Sequence, residues 1–371
     1  MRPKIWSPKV RHGQRAGRAA LRGRFTLLPG DARDVLAATL PDESVNCVVT
    51  SPPYYGLRDY GTAAQYGRES APQAYVDSLR AVFSEVRRVL AADGTMWLNL
   101  GDSYVCGPAG PRRSSGLRGR PNAVTTPEGL GGKDGGGLPA KSLLGMPWRV
   151  ALALQADGWI LRNAIVWHKP NAMPESARDR VSSRHEYVFL LVKQARYWFD
   201  LDAIREPLSR PEVAAHPPPV GGRQGAAGCV GGSARRRSGR SCCSPKYEPA
   251  SPAFRGRPHG THILPTGKRH TAAHPRGKNP GDVWTVATSP YPSAHFATYP
   301  AGIPLRCIAA GCRPGGTVLD PFSGAATTGV AALRLGRRYI GIDINPPYHE
   351  LARRRLLASA GRAAHPPGEP A

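Results

Sequence analysis

The stretch that most constrains the fold runs from Thr317 to Tyr348, TVLDPFSGAATTGVAALRLGRRYIGIDINPPY. Val318 and Leu319 form a short apolar strand, Asp320 to Gly324 a turn, and Ala325 to Leu335 a helix by composition and spacing. Gly336 ends that helix, and Arg338 to Ile342 start a second strand closed by Asp343. Strand, tight turn, helix, strand is the core of a nucleotide-binding βαβ unit. Gly324 lets the backbone pass close to a ligand, and an acid ending the second strand accepts both ribose hydroxyls. The turn is not G-x-G-x-x-G, begins with an acid and has no Lys to neutralise phosphate. It points away from a dinucleotide and towards an adenosine ligand lacking phosphates. A βαβ unit with no ligand is the plain alternative.

A second stretch, Val45 to Tyr55, reads VNCVVTSPPYY. Its apolar run is a strand that stops at Ser51-Pro52-Pro53-Tyr54. Two prolines remove two N–H donors and stiffen the backbone. The result is a carbonyl-rich turn at the C-terminal end of a strand, where open α/β sheets place ligands. It offers the Ser51 hydroxyl and the Pro52 carbonyl as acceptors, with the Tyr54 ring as cover for a flat heterocycle. Such a site holds an exocyclic amino group while its nitrogen attacks an electrophile. A Pro-rich loop with an exposed Tyr is the structural alternative, and pairing with the Asp320 to Asp343 unit disfavours it.

With both stretches in hand, the chain resembles a bacterial DNA amino-methyltransferase, more narrowly the β-class, cytosine-N4-specific enzymes of restriction–modification systems. As in that family, the catalytic tetrapeptide precedes the Asp320-Pro321-Phe322-Ser323-Gly324 turn. The resemblance extends to Gly30-Asp31, Trp148-Arg149, Leu154 to Trp159, Trp167 to Asn171, Met173 to Ser176, His185-Glu186-Tyr187 and His295 to Pro300. It implies an α/β fold: a Rossmann-like mixed sheet with helices on both faces, circularly permuted motif order and a target-recognition insertion. It implies S-adenosylmethionine as methyl donor, no metal, and double-stranded DNA as partner. Pairing with a restriction endonuclease, without a stable complex, is a further family expectation.

The resemblance also assigns residues. Ser51, Pro52, Pro53 and Tyr54 are the catalytic turn. Asp320, Phe322, Ser323, Gly324 and Asp343 cradle the donor, Asp31 reaches its adenine amino group, and Phe296 and Thr298 border its methionine end. Asp31 is equally placed to cap the helix that follows it. The family often carries hydroxyl residues just after the turn glycine, whereas this chain has Ala325 and Ala326. The first motif position is Ser, which the family associates mainly with cytosine; Asp there usually accompanies adenine. N6-adenine methylation is therefore the alternative, with an inactive DNA-binding protein behind it. C5-cytosine chemistry needs a cysteine nucleophile, typically after proline, and no Pro-Cys pair occurs.

Charge supports a polyanionic partner. The chain has 371 residues, with 51 Lys and Arg against 26 Asp and Glu, for a formal charge of +25. A GC-rich coding bias accounts for Arg over Lys but less easily for the shortage of acids. Seven cysteines in no C-x-x-C pair point to reduced thiols in a cytoplasm and against zinc. No apolar run of about eighteen residues occurs, so neither a membrane nor a signal peptide is expected; the expected location is cytoplasmic and nucleoid-associated.

Taken in order, residues 1–24 carry eight Arg or Lys and no acid and form a basic tail. Residues 25–206 are expected to be the catalytic half. Strands are expected at Phe25 to Leu28, Thr95 to Leu100 after a break at Gly94, Trp159 to Trp167 and His185 to Lys193. Helices are expected at Arg33 to Leu40, Ala74 to Leu90 and Leu143 to Ala156. Gly56 to Ser70 is expected to be a mobile loop over the site, with Arg58, Asp59 and Tyr60 near the target. Within this half, 107–140 is a flexible Gly- and Arg-rich insertion. Residues 207–278 hold thirteen Arg or Lys and two acids and are the candidate target-recognition region, with a disordered linker as the alternative. Residues 279–358 complete the donor-binding half, with a helix at Ile303 to Ala310, a break at Pro346-Pro347 and a terminal helix at Tyr348 to Ala358. Residues 359–371 are a tail. His168 is not expected to be a general base, because an amino group becomes more acidic once methylated.

Overall fold

The computed structural model describes residues 23–57, 64–105, 135–207, 276–288 and 299–363. The chain divides into two compact units, Met1–Ile204 with Gly281–Ala371, and Arg205–Pro280. In the second unit Glu206 and Lys278 exchange backbone hydrogen bonds of 3.0 and 2.9 Å, forming an antiparallel bridge. All that follows concerns the first unit.

Its elements are β1 (Phe25–Pro29), α1 (Ala32–Thr39), β2 (Val45–Thr50), α2 (Pro72–Val89), β3 (Leu90–Leu100), α3 (Met146–Ala156), β4 (Ile160–His168), β5 (His185–Val192), β6 (Val283–Thr285), α4 (Gly302–Gly311), β7 (Thr317–Asp320), α5 (Thr327–Arg334), β8 (Arg338–Asp343) and α6 (Pro346–Ala363). The strands form one sheet in the order β1-β8-β7-β2-β3-β5-β4-β6. Every pairing is parallel except those of β5, which runs antiparallel to β3 and β4. β7, late in the chain, lies against β2 through Cys47–Val318 and Val48–Leu319. That pairing joins the two chain halves at the centre of the sheet.

Strand alternation makes two cores. On one face, Val48, Met96, Leu98, Phe189 and Leu191 pack with residues of α1, α2 and α3. On the other, Cys47, Val49, Trp97, Val188 and Leu190 pack with residues of α4, α5 and α6. The helical stripe of α2 buries Tyr75, Leu79, Val82, Phe83 and Val86. Each such side chain contributes about 1.5–3 kcal/mol when fully removed from water.

Four local expectations need correction. Gly94 does not precede β3 but lies inside it: the register moves from Val45–Leu90 to Cys47–Thr95, leaving extra β3 residues opposite Asn46. A Cβ at Gly94 would sit 2.5 Å from the Leu90 side chain and 2.9 Å from the Asn46 carbonyl, so the bulge requires glycine. Pro346 and Pro347 begin α6 instead of interrupting the chain, because first-turn N–H groups have no intrahelical acceptor to lose. α6 then continues through residues 359–363, which were expected to belong to the tail. α5 starts at Thr327, two residues late, because Ala326 adopts the left-handed conformation (φ 55°, ψ 42°). A non-glycine residue there stores about 1–2 kcal/mol, held in place by the surrounding turn.

The functional consequence of this topology is one crowded edge. β1, β8, β7, β2, β3 and β4 all end there, and antiparallel β5 begins there. Asp31, Asp343, Asp320, Ser51, Gly101, Lys169 and Glu186 therefore reach one side of the molecule from seven separate strands.

Candidate active site

The Ser-Pro-Pro-Tyr turn leaves β2 and is held from several directions. Tyr75 of α2 donates its hydroxyl to the Pro53 carbonyl at 2.8 Å. Gly67 passes so close that a Cβ would lie 2.7 Å from the Tyr54 carbonyl, and the Gly56 N–H donates to the Gly67 carbonyl at 2.8 Å. The Ser51 hydroxyl donates to Tyr54 Oη at 3.2 Å. Tyr54 Oη donates to Glu186 Oε2 at 2.7 Å and lies 3.1 Å from Asn99 Oδ1. Asn99 Nδ2 donates to Glu186 Oε2 at 3.0 Å and to the Tyr187 carbonyl at 3.1 Å. Lys169 pairs with Glu186 Oε1, and its ammonium stands 4.7 Å from the centre of the Trp167 ring. The Tyr54 ring lies against Gly101, where a Cβ would fall 2.7 Å from a ring carbon. Gly101→Ala is thus expected to displace a side chain whose hydroxyl is pinned, lowering the methyl-transfer rate at least about tenfold with donor affinity unchanged. Single-turnover kinetics beside a binding titration check this.

The βαβ turn faces the same space. Ser51, Pro53, Ala32, Gln65, Tyr66, Pro321, Phe322, Gly324, Ala325, Asp343, Asn345 and Tyr348 line a cleft with about 720 Å³ of empty space, part of it open to solvent. Asp343 Oδ2 accepts from the Gly324 N–H at 2.7 Å and Oδ1 from the Asn345 N–H at 2.8 Å. A carboxylate offers about four acceptor positions, so capacity remains for two hydroxyl donors. Burial raises its pKa above the ordinary carboxylate range, against the pull of those two N–H groups. Gly324 holds φ +49°, with no atom within 4 Å of a built Cβ. Phe322 and Tyr66 meet edge to face, centroids 5.3 Å apart, as an apolar wall suited to a flat ring. Tyr66 also donates to Asp31 Oδ1 at 3.2 Å, and burial, then Asp31, push its phenol above the usual range. Asp31 caps α1 as well, accepting from the Arg33 and Asp34 N–H groups at 2.9 and 3.3 Å.

Asp320 is placed differently from the other turn residues. It is 1% exposed and lies beneath the cleft. Its Oδ1 accepts from the Thr50 hydroxyl at 2.7 Å and the Phe322 N–H at 3.1 Å, and its Oδ2 from the Thr328 hydroxyl at 2.6 Å. Thr328 in turn meets the Tyr299 hydroxyl. Thr50 immediately precedes Ser51, so Asp320 ties the Ser-Pro-Pro-Tyr turn to the βαβ turn and to α5. Burial pushes its pKa up to about 6, although three hydrogen bonds oppose the rise. A folded-state pKa above the unfolded value of about 3.9 gives stability that is present below pH 4 and lost as pH rises through 6. Relative to Asp320→Asn, wild-type unfolding free energy is therefore expected to fall by up to about 3 kcal/mol between pH 4 and 7. Urea titrations of both proteins across that range check the difference.

The structure brings Ser51, Pro53, Phe322, Gly324 and Asp343 into one cleft wall. Pro52 and Ser323 are buried behind it; Ser323 Oγ lies 2.8 Å from Tyr339 Oη. Asp31 sits beside the cleft through Tyr66. Phe296 and Thr298, like Arg58, Asp59 and Tyr60, lie outside the described residues. Sequence reasoning gave no role to Glu186, Lys169, Gln65, Tyr66, Thr50 or Thr328. For Thr50, Lys169 and Glu186 the usable signal was position, as polar residues at or just beyond ends of otherwise apolar strands; Gln65 and Tyr66, in the segment before α2, and Thr328, in α5, carry no such signal.

A mixed sheet of this order, with these two turns at one edge, defines the DNA methyltransferase class of α/β folds. The PvuII DNA methyltransferase (cytosine-N4-specific) shares the fold, with a TM-score of 0.53, 17% identity and 92% of both chains covered. The DNA methylase family (N6_N4_Mtase) matches residues 45–354. The chain is 39% identical over 334 residues to the Type II methyltransferase M.SmaI of Serratia marcescens, covering 89% of this chain and 90% of that protein. It is 40% identical over 339 residues to M.XycI of Xanthomonas campestris pv. cyanopsidis, covering 91% and 88%. The chain belongs to the DNA methylase family.

Proposed function

We propose that this protein transfers a methyl group from S-adenosylmethionine to the N4 amino group of a cytosine flipped out of double-stranded DNA. The observation that carries this reading is that the Ser51–Pro53 turn and the Phe322, Gly324 and Asp343 wall line one cleft. An acceptor pair and an adenosine cradle thus stand within reach of a single transferred methyl. Asp343 accepts the ribose hydroxyls, Phe322 and Tyr66 pack against adenine, and Asp31 faces its amino group. Ser51 Oγ at the cleft and the Pro52 carbonyl of the same turn are the proposed acceptors for the target amine, while the Pro53 carbonyl already accepts from Tyr75. The two hydrogen bonds to the amine localise the nitrogen lone pair; in-line attack forms the N–CH₃ bond as the S–CH₃ bond breaks, releasing S-adenosylhomocysteine, and the cationic nitrogen, now more acidic, gives up one proton to water to leave N4-methylcytosine. Catalysis is positioning and electrostatics, without covalent chemistry at the protein. Extrusion of the base supplies access to the cleft.

The choice of cytosine rests on Ser51 at the first position of the turn, and the PvuII enzyme of the same fold is cytosine-N4-specific. Residues 207–278, most of which lie outside the described residues, are the proposed target-recognition region, on the strength of thirteen Arg or Lys against two acids. Protection of DNA against a cognate endonuclease is the proposed cellular role, in a cytoplasmic, nucleoid-associated setting. With a formal charge of +25, DNA affinity is expected to fall about 10³-fold or more between 50 and 200 mM salt, read by fluorescence anisotropy. The proposal is tested with methyl-labelled S-adenosylmethionine and DNA of mixed sequence. Label is expected in DNA; donor binding with no transfer to any DNA overturns the reading.

A further inference from the structure

We infer that Glu186, anchored by Lys169, sets the hydrogen-bond polarity of Ser51 and so makes the catalytic turn selective for a base that presents an amino group. The inference rests on the reading of Ser51 as an amine acceptor and extends it to a residue that does not line the cleft.

The argument follows single protons. Tyr54 has one hydroxyl proton. Among the described residues its hydroxyl donates at 2.7 Å to Glu186 Oε2, and the acceptor is a carboxylate, the stronger partner. Asn99 does not compete for it on equal terms: its oxygen is neutral and stands at 3.1 Å. The orientation of that amide is fixed, because its Nδ2 faces two acceptors, Glu186 Oε2 and the Tyr187 carbonyl. With its proton committed to Glu186, Tyr54 Oη presents a lone pair to Ser51, 3.2 Å away. The Ser51 hydroxyl therefore donates to Tyr54, and its own lone pairs are left for the cleft. In that state Ser51 accepts from an N–H and has no proton to offer a carbonyl. An amino-bearing base satisfies it; a keto base at the same place leaves two acceptors opposed, and an unmet buried polar group costs affinity.

Lys169 serves the carboxylate. It pairs with Glu186 Oε1, leaving Oε2 to Tyr54 and Asn99, and both partners are largely shielded, with side chains 20% and 13% exposed. The two come from the end of β4 and the start of β5, and only the antiparallel course of β5 brings them together. Glutamine at 186 removes this bias. Its amide can donate to Tyr54 Oη, which leaves the Tyr54 proton shared between Asn99 Oδ1 and Ser51 Oγ, so that the Ser51 hydroxyl is no longer held as a donor to Tyr54.

A double-mutant cycle tests this with Glu186→Gln, Tyr54→Phe and their combination, in single turnover with saturating donor and DNA. Glu186→Gln is expected to slow methyl transfer about 100-fold, with S-adenosylmethionine affinity unchanged. In the Tyr54→Phe background the relay is already cut, so adding Glu186→Gln is expected to cost less than about threefold more. Equal losses in both backgrounds overturn the inference, because they mean that Glu186 acts through general packing. Thermal melting accompanies each variant. If Glu186→Gln does not fold, Glu186→Asp, whose carboxylate falls short of Tyr54, carries the same cycle with the same two outcomes. Wild-type protein that binds the donor but methylates no DNA amine would instead refute the parent reading, a result visible before any variant is made.

Discussion

Ser51→Ala is expected to lower the single-turnover rate of methyl transfer by about 10³-fold while leaving S-adenosylmethionine affinity within a factor of about two. The asymmetry follows from the geometry. Ser51 lines the cleft, and its hydroxyl donates to Tyr54. On the proposed mechanism, alanine removes an acceptor that holds the target amine as positive charge develops on its nitrogen. It leaves Phe322, Gly324 and Asp343 as they were. The turn itself is held by Tyr75 on the Pro53 carbonyl and by the close pass of Gly67, so its backbone is expected to survive the substitution. Stopped-flow mixing with a defined duplex reads the rate, and calorimetry reads the affinity. A parallel loss in both would mean that Ser51 belongs to the donor site.

Asp343→Asn is expected to have the opposite signature, weakening S-adenosylmethionine binding about 100-fold, equivalent to about 2.7 kcal/mol. Its carboxylate accepts from the Gly324 and Asn345 N–H groups, one on each oxygen. An amide cannot replace it: one end becomes an NH₂ that faces an N–H donor, and the remaining oxygen must serve both the turn and the ribose. Each hydrogen bond to a charged acceptor contributes about 1.5–3 kcal/mol, so losing the ribose contact while loosening the turn accounts for the size of the effect. At saturating donor the rate is expected to recover to within about tenfold of wild type, which separates this residue from Ser51. The observable is the donor dissociation constant by calorimetry, set beside the maximal rate.

Much of this architecture is written in local signals. Alternating apolar runs that end in Ser51-Pro52 or Asp320-Pro321 give strand, direction and ligand-bearing end together, because proline halts the ladder where the site begins. The spacing of Tyr75, Leu79, Val82, Phe83 and Val86 gives α2 and its buried face. Gly94 and Pro346 were misread for a common reason. Glycine and proline mark special backbone positions without saying which, and a bulge or a helix start looks the same as a break until neighbouring strands are known. The Thr50–Asp320–Thr328 link joins residues 270 and 8 positions apart, and no local pattern announces it. The resemblance put Asp320 in the donor cradle; its burial beneath the turn comes from β7 lying at the centre of the sheet, covered on both sides. Glu186 and Lys169 were hidden by strand direction, since only an antiparallel β5 places residue 186 beside the end of β4.

The central claim is that the transferred methyl ends on N4 of cytosine. The most direct test is mass spectrometry of nucleosides after DNA of mixed sequence has been incubated with the protein and methyl-labelled S-adenosylmethionine, then digested. The account predicts labelled N4-methylcytosine, absent from the Ser51→Ala control. Labelled N6-methyladenine in its place would keep the fold and the donor site and contradict the assignment of the base.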